Sequence, residues 1–119
     1  MNAKELSSTL RQFTGTEHYY RLYKDVVLTD GVKYLADEAK CYWLMDAIAS
    51  YLRFFQPKDY FACCKLKVVN ESAVLTIDDG NGTILASQNI EYTDFPLHQI
   101  DLYGVWSEEF WVIMLTGEY

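Results

Sequence analysis

The side chains best suited to metal or nucleophilic chemistry are three cysteines, Cys41, Cys63 and Cys64, and two histidines, His18 and His98. Zinc motifs set two ligands two to four residues apart so that both reach one ion. Cys63 and Cys64 are adjacent, and neighbours on a strand point to opposite faces, so they neither grip one ion easily nor bond each other. Neither histidine has a second ligand beside it. The odd count, with no export signal, fits free and reduced thiols. A Cys–His nucleophile pair would be assembled in space and leave no trace in spacing. The residues around the cysteines match no protease or redox signature. No Gly-rich phosphate loop, Gly-x-Ser-x-Gly or His-Glu-x-x-His occurs.

The run Asp79-Gly80-Asn81-Gly82-Thr83-Ile84 mimics the middle of an EF-hand calcium loop. The match fails at the positions that matter most. The first ligand position falls on Ile77, which has no oxygen to offer, and the last falls on Gln88 in place of the bidentate glutamate. The segment therefore reads as a hairpin turn. Carboxylates at other turns, Asp30, Asp94 and Asp101, suit local capping of backbone N–H groups. The expectation is no metal, no cofactor and no catalytic residue.

Charge carries more information. The chain of 119 residues has a net charge of −7. Residues 1–59 hold eight basic and eight acidic side chains; residues 60–119 hold Lys65 and Lys67 against nine acids, so the whole imbalance lies in the second half. Such a field repels phosphates and attracts basic partners. Direct nucleic-acid binding is not expected. The expected contacts with a basic protein partner are Asp78, Asp79, Glu91, Asp94, Glu108 and Glu109, all read as exposed. The ten tyrosines, spread over every segment, suit surfaces where one end of the ring is dry and the other wet.

These residues need elements to position them. Half the residues are apolar, which is enough for a packed core, and the length suits one domain, residues 1–119. No segment approaches the ~20 apolar residues of a membrane span, and the start lacks a signal peptide. The expectation is a complete, cytoplasmic, single-domain protein. Asn2 with Glu5 forms a capping-box pattern that starts a short helix over Ala3–Phe13. Asp30-Gly31 is a hairpin-turn dipeptide, with Val32–Leu35 as the returning strand. Leu44, Ile48, Tyr51, Leu52 and Phe55 recur at helical spacing and predict the main helix over Ala39–Phe55, ended by Pro57. From Tyr60 the period changes to two, with strands over Tyr60–Val69, Ala73–Ile77, Thr83–Tyr92, Ile100–Tyr103 and Phe110–Leu115. The fold class is α+β: an antiparallel β-meander sheet packed against one main helix, with a short N-terminal helix and a hairpin. Leu44, Ile48 and Leu52 are expected to pack on Leu66, Val68 and Ile84.

Phe13-Thr14-Gly15-Thr16-Glu17, Thr29-Asp30-Gly31-Val32-Lys33-Tyr34-Leu35-Ala36, Tyr42-Trp43-Leu44, Asp46-Ala47-Ile48, Asp78-Asp79-Gly80-Asn81-Gly82 and Tyr92-Thr93-Asp94-Phe95-Pro96-Leu97 follow one another along the chain. In that order they resemble a small uncharacterised bacterial domain family often carried on phages, plasmids and other mobile elements. The resemblance implies an intracellular bacterial origin and transfers no site residue. It favours an accessory or anti-defence protein, such as an anti-CRISPR or anti-restriction factor. The functional expectation is a non-catalytic, acidic protein-interaction module. Self-association as a homodimer or small-ligand binding is the alternative, and an enzyme with an unrecognised site ranks behind both.

Overall fold

The computed structural model describes residues 2–55 and 60–119. Among them the chain forms three α-helices and a seven-stranded mixed sheet that is mostly antiparallel. Helix α1 spans Ala3–Leu10, and Asn2 caps it as its sequence predicts. The Asn2 side chain accepts from Glu5 N at 2.8 Å and donates to Glu5 Oε1 at 3.0 Å. The helix stops short of Phe13 because its last turn tightens, with Gln12 N and Phe13 N donating to carbonyls three residues back.

The hairpin predicted at Asp30-Gly31 lies one element earlier. Strand β1 (Tyr20–Tyr23) pairs antiparallel with β2 (Val26–Leu28). Asp30-Gly31 instead opens helix α2, Asp30–Glu38. Thr29 is its N-cap and accepts from Val32 N through Oγ1. Val32, Leu35 and Ala36, at helical spacing, form the buried stripe. Gly31 serves close approach here, not a turn. A Cβ on it would meet Leu115 Cδ1 at 2.5 Å and Glu118 Oε1 at 2.7 Å.

Helix α3 spans Tyr42–Phe54, inside the predicted limits, and buries Leu44, Met45, Ile48, Ala49 and Leu52. Pro57 lies outside the described residues. Strands β3 (Phe61–Val69), β4 (Ser72–Asp78) and β5 (Ile84–Ile90) then form a meander, followed by β6 (Gln99–Trp106) and β7 (Trp111–Leu115). The sheet order is β1-β2-β7-β6-β3-β4-β5. The sheet departs from the expected antiparallel meander twice: β6 pairs with β3 and not with β5, and β2 runs parallel to β7. The first hairpin is carried to the far side of the sheet through α2 and α3, a crossover that parallel pairing requires.

Alternate residues of each strand face the helices. Ala62, Cys64 and Leu66 of β3 align with Leu75 and Ile77 of β4 and with Leu102 and Gly104 of β6, and all are buried. Leu52 sits directly on Gly104, where a Cβ would lie 2.8 Å from its Cδ1. Two expected partners of α3 differ. Val68 is half-buried, and Ile84 is 64% exposed. A register shift between Ile77 and Asp78 sets Ile84 against Asp78 and gives the core position to Ala86.

Candidate functional site

The other face of the sheet carries no described helix, and its residues sort into two halves. Across the strands, Arg21, Val27, Val112, Val105 and Phe61 form one row, and Met114, Tyr103, Cys63 and Asp78 the next. The third row is Asp101, Lys65, Thr76 and Ser87, and the fourth is Gln99, Lys67, Val74 and Asn89. One half of this face is thus largely apolar and the other polar, and the apolar half is open only in part, because Val27 and Val112 are buried there. Both basic residues of the second half of the chain, Lys65 and Lys67, stand in the polar half. The face carries Asp78 and Asp101 beside Arg21, Lys65 and Lys67, so it is not acidic in balance; Asp79, Glu91, Asp94, Glu108 and Glu109 lie on the turns at its ends.

At the apolar end, three rings meet. Phe61 lies 4.9 Å from Tyr103 and 5.3 Å from Tyr119, and Tyr103 lies 5.4 Å from Tyr119, centroid to centroid. Tilted and edge-on contacts of this kind suit aromatic quadrupoles. Tyr119 remains 70% exposed. The turn between β4 and β5 folds onto the same rings, and a Cβ on Gly80 would meet the Phe61 ring at 3.0 Å. Gly80 (φ +84°) and Gly82 (φ +95°) supply the left-handed backbone this turn needs.

The six carboxylates expected to form one contact surface are divided by this topology. Because β3 pairs antiparallel with both β4 and β6, the Asp78–Gly82 turn and the Glu108-Glu109 turn lie at the Phe61 end of the sheet. Their centres are separated by about three strand spacings, roughly 14 Å. Glu91 and Asp94 belong to the β5–β6 connection at the opposite end, where Thr93 N donates to Glu71 O. Asp78 is not exposed as expected: it is 9% exposed, and its Oδ1 accepts from Gly80 N at 2.8 Å. Register places it inside the strand pair, so its carboxylate serves the turn. Asp79 Oδ1 accepts from Asn81 N at 2.8 Å and Thr83 N at 3.1 Å. Those backbone donors hold its carboxyl below the usual range, so it stays an anion. Glu108 and Glu109 are exposed.

A second polar cluster was not legible as such in the sequence. Lys33 Nζ donates to Asp37 Oδ2 at 2.9 Å and to Tyr42 Oη at 2.8 Å, and Tyr42 Oη donates to Asp37 Oδ1 at 2.6 Å. The ammonium also lies 5.8 Å from the Tyr20 ring centroid. Beside it, Asp30 Oδ2 accepts from Glu17 N, and Thr16 Oγ1 accepts from Asp30 N, each at 2.8 Å. Three of the segments that carry the family resemblance therefore converge here. The Lys33–Asp37 spacing of four would have signalled the pair had 32–38 been read as helix. Tyr42 and Asp37 push the Lys33 pKa up, and Tyr42 and Lys33 push the Asp37 pKa down. A nucleophilic lysine needs the opposite shift; the hydrogen bonds of Lys33 and Asp37 to Tyr42 tie α2 to α3.

Burial also keeps the thiols protonated at neutral pH. Cys41 is pushed up to about 12, Cys64 is pushed up strongly, and Cys63 is raised by partial burial and by Asp78. Among the described residues no three His, Cys, Asp or Glu side chains converge as a metal-ligand group. An open groove of about 720 Å³ lies between the end of α1, the start of β6 and the C-terminal turn. Leu10, Phe13, Leu97 and Leu115 line it, with Arg11 and His98 among its polar residues.

Comparison with known proteins agrees with the resemblance at the level of a family. The chain belongs to a family of unknown function, DUF6876, which matches residues 4–119. No curated protein and no solved structure matches it.

Proposed function

We propose that this member of the family is a non-catalytic protein-interaction module that binds a basic partner through the open face of its sheet. The observation that carries the reading is the meeting of a partly exposed ring cluster, in which Tyr119 is the exposed ring, with acidic turns. Phe61, Tyr103 and Tyr119 supply aromatic anchors, and Asp79, Glu108 and Glu109 form a negative rim at the same end of the sheet. Aromatic centres with polar, charged rims are the usual anatomy of a binding surface. The net charge of −7 favours a basic partner and steers its approach.

The finer form takes the partner to be a nucleic-acid-handling protein, whose phosphate-binding surface would accept the turn carboxylates. The setting would be a mobile genetic element, where inhibition of a host defence complex is useful. Charge and the family resemblance support this form.

Affinity capture from bacterial lysate, read by mass spectrometry, tests the proposal with two baits. One is the wild type; the other carries Tyr119→Ala, Glu108→Lys and Glu109→Lys. A basic protein retained by the first and lost by the second is the expected result. Captured proteins indifferent to these changes, or direct binding of DNA or RNA by the purified chain, overturn it. The groove beside Arg11 and His98 favours a second reading, a small anionic ligand, which would show as a ligand-dependent rise in Tm.

A further inference from the structure

The two edges of the sheet are protected very differently. A strand edge presents unpaired N–H and C=O groups, and proteins blunt it with short strands, charge, bulges or covering elements. Edge strand β1 follows this rule: it has four residues, includes Arg21, and is irregular between Arg21 and Tyr23. Edge strand β5 does not. It has seven residues, Ile84-Leu85-Ala86-Ser87-Gln88-Asn89-Ile90, with no charge and no proline. Its irregularity is confined to the Ile84 end, and among the described residues no strand pairs with its outer side.

We propose that β5 is a self-association edge, which pairs antiparallel with β5 of a second copy about a two-fold axis at Ser87. The occupant follows from charge and symmetry. Two copies of a chain with net charge −7 repel each other over most of their surface, and β5 is a stretch where no charge meets a charge. An antiparallel pair is self-complementary, as an isologous contact requires. Centred on Ser87, it sets Ser87 against itself, Ala86 against Gln88, and Leu85 against Asn89, without an ion in the seam.

The flank adds apolar area. Tyr51 of α3 reaches β5 by donating to Gln88 Oε1 at 2.9 Å, and Phe54, on the same side of the helix one turn on, is 80% exposed. Strand pairing alone is a thin contact beside the roughly 800 Å² per partner of a standard interface. Phe54 and the exposed Ile84 widen it. A two-fold axis perpendicular to the sheet keeps both open faces on one side, so the dimer presents two ring clusters together. This inference stands independently of what those clusters bind.

Light scattering and analytical ultracentrifugation of the full chain, up to several hundred micromolar, test it. The wild type should reach twice the 13.9 kDa of one chain. Ser87→Lys and Ser87→Glu should each raise the dissociation constant at least about tenfold, because like charges then face each other. An equal mixture of the two should restore the dimer. A wild type that stays monomeric throughout overturns the proposal. So does a dimer indifferent to both Ser87→Lys and Asn89→Lys, or a mixture that fails to recover. Should Ser87→Lys fold poorly, hydrogen exchange of the wild type decides. Protection of the 84–90 amides that grows with concentration supports the pairing, and protection independent of concentration overturns it.

Discussion

On one face of the sheet Cys64, Leu66, Leu75, Ile77, Leu102 and Ile113 are sealed against the helices. Their neighbours in sequence, Lys65, Thr76, Tyr103 and Met114, point the other way and stay exposed or half-exposed. The backbone is shared, so the difference lies in what each set of alternating side chains meets. The covered set meets Val32, Leu35, Leu44, Ile48 and Leu52, and its packing stabilises the fold. The other set is mixed: Val27, Val112 and Asp78 are buried, while Lys65, Lys67, Val74 and Ser87 are exposed and carry little of the packing. Substitutions on the covered face should register as stability and those at the exposed positions of the open face as binding.

The sharpest test of that division is Ile48→Ala. Ile48 is 1% exposed in the core of α3, and removing it should cost about 2–5 kcal/mol, the range for buried large-to-small changes. Denaturant unfolding measures it, and a loss under about 1 kcal/mol would show that the covered face tolerates voids.

Next comes a device at the rim of that face. Glu118 accepts from Thr29 Oγ1 at 2.6 Å, Leu115 N at 2.9 Å and Gly31 N at 3.1 Å, which fastens the C-terminal turn to the start of α2. Glu118→Ala strips the partner from three donors and should cost about 1–3 kcal/mol. Glu118→Gln keeps acceptor capacity and should lose less in the same measurement.

On the open face, Tyr119→Ala should change stability by within about 0.5–1 kcal/mol, since the ring is 70% exposed. A larger drop in Tm would make Tyr119 a structural residue and count against its proposed role as an anchor.

The smallest effect belongs to the surface ion cluster. Asp37 has its pKa lowered by Tyr42 and Lys33, so its contribution is full above the ordinary carboxylate range, about pH 4, and fades as pH falls through the lowered value. Lys33 has its pKa raised, so its contribution is full below the ordinary lysine range and is lost as pH rises through the raised value. Between these limits solvent screening keeps the contribution of the cluster small, as for exposed pairs generally. Asp37→Asn should flatten the acid limb of Tm against pH slightly and leave the neutral region almost unchanged.

How much could be read in advance differs by element. The Asn2 cap, the Leu44–Ile48–Leu52 stripe and the alternation from Phe61 onward were legible because each rests on contacts within a few residues. Asp30-Gly31 misled because the turn dipeptide competes with an equally local helix signal, the Thr29 cap with Val32, Leu35 and Ala36 at helical spacing, and the contact of Gly31 with Leu115 and Glu118, more than eighty residues away, has no local trace. The exposure of Ile84 was hidden for the same reason: it depends on a register shift between β4 and β5. Among the expected contact residues, Asp79, Glu108 and Glu109 share an end of the sheet, while Glu91 and Asp94 lie at the other end. Composition counts carboxylates but does not locate them. The sequence alone determined the charge imbalance, the helical and two-residue periods, and hence an α+β chain with one amphipathic helix over a sheet. Only the tertiary structure decided that β2 joins β7 in parallel, that Phe61, Tyr103 and Tyr119 become one ring cluster, and that β5 is left as an unprotected edge. Periodicity is set by geometry within a segment. Pairing between segments is set by competition among distant strands for the same hydrogen bonds and the same core.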